Sequence, residues 1–250
     1  RLAQAPELWS LEEAPASRRI MLLAEILASL FTASYLTRPR LFPSIVARYV
    51  DLCVEHRYLA PGFPFFATTM AAFVGFVLSR PEHAQATSEQ AMALTAQPRF
   101  RALESRVTLA TGAFIMHWVQ DVRPSLALLQ RGYLAGRDMG DNEYAGFCQL
   151  VVLGNGILCN KPVGELLDHC ASCKKFLEPL RFEPHLTYFS IGFSTARILE
   201  SGSIGPVAEW NGPFFDDATD IPRLQASGDA HGLFLLNALK SYLALLFGEY

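Results

Sequence analysis

Near the centre of the chain, Cys159, His169, Cys170 and Cys173 bring together three thiols and an imidazole, the ligand types that hold a structural zinc ion. Upstream, HWVQDVRPSLALLQRGYLAGRDMGDNEYAG (117–146) gathers a histidine, carboxylates, arginines and aromatic rings of the kinds used in general acid–base chemistry. Spacing argues against both chemistries. In ELLDHCASCKKFL (165–177) the apolar positions Leu166, Leu167, Cys170, Cys173, Phe176 and Leu177 recur at helical steps, so both thiols fall on a buried stripe, where cysteine behaves as a small hydrophobe. Compact zinc modules draw their ligands from turns or paired motifs. The four residues are therefore a weak metal candidate, and no cofactor is expected.

No serine sits in G-x-S-x-G, and neither a phosphate-binding G-x-x-x-x-G-K-[ST] loop nor a G-x-G-x-x-G fingerprint is present. The expectation is a non-enzymatic chain without catalytic residues. Asp216, Asp217 and Asp220 read as a helix-capping cluster rather than a cation site. Binding is the better use of the central run, with His117, Trp118, Arg123, Tyr144 and Gln149 as candidates. An alternative to a protein-binding role is a closed small-molecule pocket formed by Phe114, His117, Trp118, Tyr144 and Gln149.

These residues must be positioned by helices. Leu41, Ile45, Val46, Tyr49, Val50 and Cys53 recur at steps of three and four, as do Leu126, Leu129, Tyr133 and Leu134, while strand alternation is scarce. The sequence predicts helices over 20–36, 41–57, 64–79, 83–96, 99–119, 124–139, 142–159, 162–177, 184–200 and 230–247. It predicts an irregular insertion over 201–228 with a short helix near 216–226. A basic residue followed by proline marks the boundaries: Arg38-Pro39, Arg80-Pro81, Arg123-Pro124 and Lys161-Pro162, with the prolines 42, 43 and 38 residues apart. Proline cannot continue a helix but fits the first turn of the next, and a cation suits a helix C-terminus. Each mark is thus a helix–helix turn, in units of about 40 residues, the period of helical-repeat solenoids. The whole chain, 1–250, reads as a single helical-repeat domain.

Composition narrows the partners. With 250 residues, 51% of them hydrophobic, the chain can bury a substantial core. Its 21 basic and 24 acidic residues leave a net charge of -3, without the basic excess that nucleic-acid binding requires. Five unevenly spaced cysteines point to a reducing, cytoplasmic setting. Uninterrupted apolar runs such as ATTMAAFVGFVL fall short of the roughly 20 residues of a membrane span, and Glu25 interrupts IMLLAEILASLF, so no span is expected. A start on Arg1 rather than Met reads as a piece of a longer protein.

LFPSIVARYVDLCVEHRY (41–58), HW followed by RPSLALLQRGYLAGRDMGDNEYAGF (117–147) and NKPVGELL (160–167), in that order, resemble the TPR-like helical region of very large multidomain signalling proteins. In that family a serine/threonine-kinase-like domain and an AAA-type (STAND-like) ATPase precede this region, and a GAF domain and a sensor histidine kinase follow it. The resemblance implies an all-α fold: a TPR-like right-handed superhelix of antiparallel helix pairs, an α-solenoid of about 10–12 helices. It further implies partners among the flanking ATPase and kinase domains of the same chain, or a separate protein or small molecule. Arg57 stands where the family has glycine, and the family's Gly-x-Pro-Leu turn is replaced by Asn160-Lys161-Pro162-Val163.

Overall fold

The computed structural model describes residue 9 and residues 16–202 and 210–248. Among these the chain is all-α, with one isolated antiparallel bridge, Asn211 to Asp216, and no β-strand. The helices are α1 (Arg18–Ser29), α2 (Phe31–Thr37), α3 (Phe42–Glu55), α4 (Phe63–Val77), α5 (Pro81–Thr95), α6 (Glu104–Phe114), α7 (Arg123–Met139), α8 (Asn142–Leu158), α9 (Val163–Leu177), α10 (Glu183–Ser201), α11 (Asp217–Ser227) and α12 (Ala230–Phe247). The chain forms two compact units, residues 1–148 and 149–250, divided within α8, where the sequence reads as one continuous domain.

The expected 20–36 helix is two, α1 and α2, joined through Leu30. The expected 99–119 helix contains a 3-10 segment, Pro98–Leu103, then α6, then a short 3-10 turn, Met116–Trp118. Proline at the head of the first segment and the departure of Ile115 from helical geometry (φ -119°) account for the breaks. Within the irregular insertion, α11 forms as expected, and residues 203–209 lie outside the described residues.

In the first unit, α4 is apolar on nearly every face and packs against α3, α5 and α6. Tyr49 of α3 stacks on Phe66 of α4 (centroids 3.8 Å apart), and Phe42 meets Phe73 at 5.6 Å, fixing an antiparallel pair. Helices α6, α7 and α8 are also antiparallel neighbours, and they approach unusually closely. A Cβ placed on Gly132 of α7 would lie 2.1 Å from Thr108 Oγ1 of α6 and 3.0 Å from Cys148 Sγ of α8. One on Gly136 would lie 2.6 Å from Ser105 Oγ and 3.0 Å from Ala145 Cβ. In the second unit the core is built from Leu153, Ile157, Leu166, Leu177, Ile191 and Leu236, with Cys170 and Cys173 within it. A largely buried ion pair, Lys240 to Asp217, ties α12 to the start of α11, and Asp217 also accepts the Trp210 N–H at 2.9 Å.

The basic-proline marks form helix–helix turns, and at two of them, Arg80-Pro81 and Lys161-Pro162, the preceding helix stops at a left-handed residue, Ser79 or Asn160. Other helices stop the same way. Arg57 (φ 48°), Ser79 (φ 52°), Asn160 (φ 54°) and Gly140 (φ 78°) each follow a helix end. The next N–H then reaches back five residues, as Tyr58 to Cys53 O, Arg80 to Gly75 O, Lys161 to Gly156 O and Asp141 to Gly136 O. Arg80 then serves as the N-cap of α5 and Arg123 as the first residue of α7. Asp216 caps α11, accepting from Thr219 N (3.2 Å), as the sequence predicts for the Asp cluster, and Asp229 caps α12, accepting from Gly232 N (2.8 Å).

Two helical stretches, Arg18–Thr37 and Ala230–Phe247, are long and apolar enough to cross a membrane by length and composition, with 17% and 22% of their residues buried. The expectation from the sequence counts uninterrupted apolar runs, and single polar residues such as Glu25 and Lys240 do not shorten either stretch.

The close approach and the left-handed stops give opposite mutational signs. Gly132→Ala is expected to lower stability by about 1–3 kcal/mol through overpacking. Arg57→Gly is expected to raise it by up to about 1 kcal/mol, since a left-handed conformation costs a residue that carries a Cβ more than glycine. Thermal or urea melts of the two variants beside the parent protein provide the check.

Candidate functional site

The structure places the five binding candidates in three locations. His117 and Trp118 occupy the 3-10 turn after α6, both exposed. The Trp118 ring lies 5.5 Å from Phe76 and 4.9 Å from His117. Partial burial lowers the His117 pKa, favouring the neutral ring. Arg123, at the start of α7, is engaged with Asp121: its guanidinium is 2.9 Å from Oδ2 and its main-chain N–H donates to Oδ1 at 2.8 Å.

Tyr144 sits elsewhere in the same unit, near the start of α8 and almost fully buried. Its hydroxyl meets Thr32 Oγ1 at 3.3 Å, its ring edge meets Phe65, and the Arg106 guanidinium covers its face at 4.5 Å. Arg106 donates to Asp141 Oδ2 at 2.7 Å. Burial works against the Arg106 charge, but the Asp141 hydrogen bond and negative charge outweigh it and hold the pKa above the usual value. Burial raises the Glu143 pKa. Sequence reasoning missed Arg106 as the partner of both Asp141 and Tyr144, because 35 residues separate it from Asp141 and no local period links them.

Gln149 belongs to the second unit, buried beside α9. His169 Nε2 is 3.0 Å from the Gln149 carbonyl oxygen, and the Cys173 thiol donates to Gln149 Oε1 at 3.5 Å while lying 3.2 Å from His169 Nε2. A consistent hydrogen assignment puts the proton on Nε2, donated to the carbonyl, so the ring offers the thiol no basic lone pair. Burial pushes the Cys170 thiol up to about 12 and the Cys173 thiol higher still. This Cys–His contact is therefore a packing and hydrogen-bonding arrangement and supplies no thiolate nucleophile.

Of the weak zinc set, His169 and Cys173 touch and Cys170 lies on the same helix, while Cys159 stands partly exposed at the end of α8. Among the described residues no three His, Cys, Asp or Glu side chains are grouped to hold a metal. Nor do the side chains expected to enclose a small molecule converge: Phe114, His117 and Trp118 face outward, whereas Tyr144 is packed among Phe65, Phe147 and Arg106. An open cleft does lie between α1 and α3, lined by Arg19, Leu23, Arg48, Leu52 and His56, with Arg48 reaching Glu55 at 3.5 Å.

No protein-family model, no curated protein and no solved structure matches the chain.

Two measurements check the assignment of the thiols and His169. In the folded protein Cys159 is expected to react with a maleimide well before Cys53, Cys148, Cys170 and Cys173, which are buried and label on unfolding; peptide mapping reads the order. Burial also lowers the His169 pKa, with the Gln149 hydrogen bond opposing it. The unfolded chain therefore takes up the proton first: the contribution to stability is intact above the unfolded pKa of about 6.5 and is lost as pH falls through the lower folded value. His169→Gln is expected to flatten the loss of melting temperature between about pH 7.5 and about pH 5.5.

Proposed function

We propose that the chain is a non-enzymatic, TPR-like helical-repeat module that makes protein–protein or interdomain contacts and transmits a signal within a larger ATPase and sensor-kinase signalling protein. The observation that carries this reading is the regular alternation of antiparallel helices with basic-proline turns about 40 residues apart, in which α3 packs on α4, α4 on α5 and α6 on α7. Helices that bury one face on a chain neighbour leave other faces for partners, and such stacks flex by small adjustments between adjacent helices. A partner that binds one arrangement better than another would shift their populations and so report to the flanking domains. The raised pKa of the buried thiols and the scattered positions of the polar candidates support a binding role over catalysis.

The test has two parts. The complete reading frame is expected to encode kinase-like and ATPase domains before this segment and a histidine kinase after it; a frame without them removes the signalling context. In the full-length protein, cross-linking mass spectrometry is expected to join lysines of this segment, such as Lys161 or Lys174, to those domains, and a map with cross-links only inside the segment counts against a relay.

A further inference from the structure

We infer that one end of the first unit, formed by the α2–α3, α4–α5 and α6–α7 turns, is a docking surface for an anionic phospholipid membrane. Antiparallel packing brings these turns to the same end: Phe42 packs on Phe73, Ile115 shares a buried cluster with Ala71 and Ala84, and Phe76 meets Trp118. The end of α4 then projects three consecutive apolar residues into solvent, Phe76 (64% exposed), Val77 (68%) and Leu78 (62%). Trp118 (51%), Phe114 and Leu41 extend the patch. A folded chain hides a run of this kind when it can, and an exposed cluster of large apolar side chains marks an interaction surface.

Charge identifies the occupant. Arg38, Arg40 and Arg80 are exposed on the flanking turns, and among the described residues no ion pair engages them. Arg123 is the fourth guanidinium; the carboxylates on these turns are Glu82 and Asp121, the latter already paired with Arg123. A second copy of the chain is a poor match, because a two-fold contact would set these arginines against themselves. A lipid surface satisfies both halves of the patch. Phe76, Val77 and Leu78 enter the acyl boundary, Trp118 sits at headgroup depth where indole rings are favoured, and the arginines reach lipid phosphates and serine carboxylates.

This inference is independent of the interdomain role proposed above, since vesicle binding and domain cross-links can fail separately. The test is co-sedimentation of the protein with phosphatidylcholine vesicles, with and without phosphatidylserine, together with quenching of Trp118 fluorescence by brominated acyl chains. Binding is expected to need phosphatidylserine and to weaken with salt. Joint Phe76→Ser and Leu78→Ser substitution is expected to weaken it at least about tenfold. Charge reversal at Arg38 and Arg80 is expected to weaken it roughly fivefold per site, and because these side chains are exposed, unchanged circular dichroism serves as the folding control. Protein left in the supernatant with both vesicle types overturns the inference in favour of an acidic protein partner. Binding that survives the Phe76/Leu78 change but is lost on Leu245→Ser with Leu246→Ser overturns it in favour of α12. Concentration-dependent dimers abolished by Leu78→Ser, without vesicle binding, assign the patch to a second copy.

Discussion

Two helix backbones can meet at contact distance only where neither carries a side chain in the way, and α7 meets that condition on two sides. Gly132 and Gly136 leave room for Thr108 and Ser105 of α6 on one side and for Cys148 and Ala145 of α8 on the other. Much of the first unit depends on this narrow seam. Because α6 and α8 both close on α7, Arg106 of α6 comes within hydrogen-bonding reach of Asp141 and lies over the ring of Tyr144. Tyr144 is in turn driven into the aromatic group around Phe65. The cation that stabilises the α7–α8 turn is supplied from outside that turn, and the seam delivers it.

The same seam explains the thiols. A cysteine is small enough to line a close helix contact and apolar enough to be buried there. Cys148 occupies such a place beside Ser105, whose main-chain oxygen accepts its S–H at 3.7 Å. Cys173 does so in the second unit beside Gln149. Their place in the sequence reflects packing against neighbouring helices, and the same burial suppresses their chemistry by disfavouring the thiolate.

The helical period of the sequence was sufficient to locate the long helices, the capping role of the cluster that holds Asp216, and the buried stripe bearing Cys170 and Cys173, because each of these is a local relation along a few turns. Long-range relations were not legible. No local pattern could show that Arg106 serves Asp141, that Tyr144 and Trp118 lie in different surroundings, or that Gln149 turns towards His169. The basic-proline marks located the turns, and proline does open α5 and α7, but at two marks left-handed Ser79 and Asn160 end the preceding helix, and neither residue announces that conformation as glycine would. In the sequence the apolar run at the end of α4 reads only as too short for a membrane span. Its period carries the helix to Val77, but its last residues pass beyond the neighbours that would have covered them.

The Lys240–Asp217 pair separates two kinds of electrostatics in one molecule. Pairs such as Arg123–Asp121 and Arg137–Asp138 stand in solvent, where counterions dissolve their attraction as ionic strength rises. Lys240 and Asp217 are only 14% and 10% exposed, so mobile ions scarcely reach them. The segment from Trp210 to Asp217 is thereby clamped to α12 by a fastening that salt scarcely loosens, and loss of the Lys240 charge alone would leave the Asp217 carboxylate largely buried without its cation. The hold of α12 on that segment therefore rests on a single ammonium group.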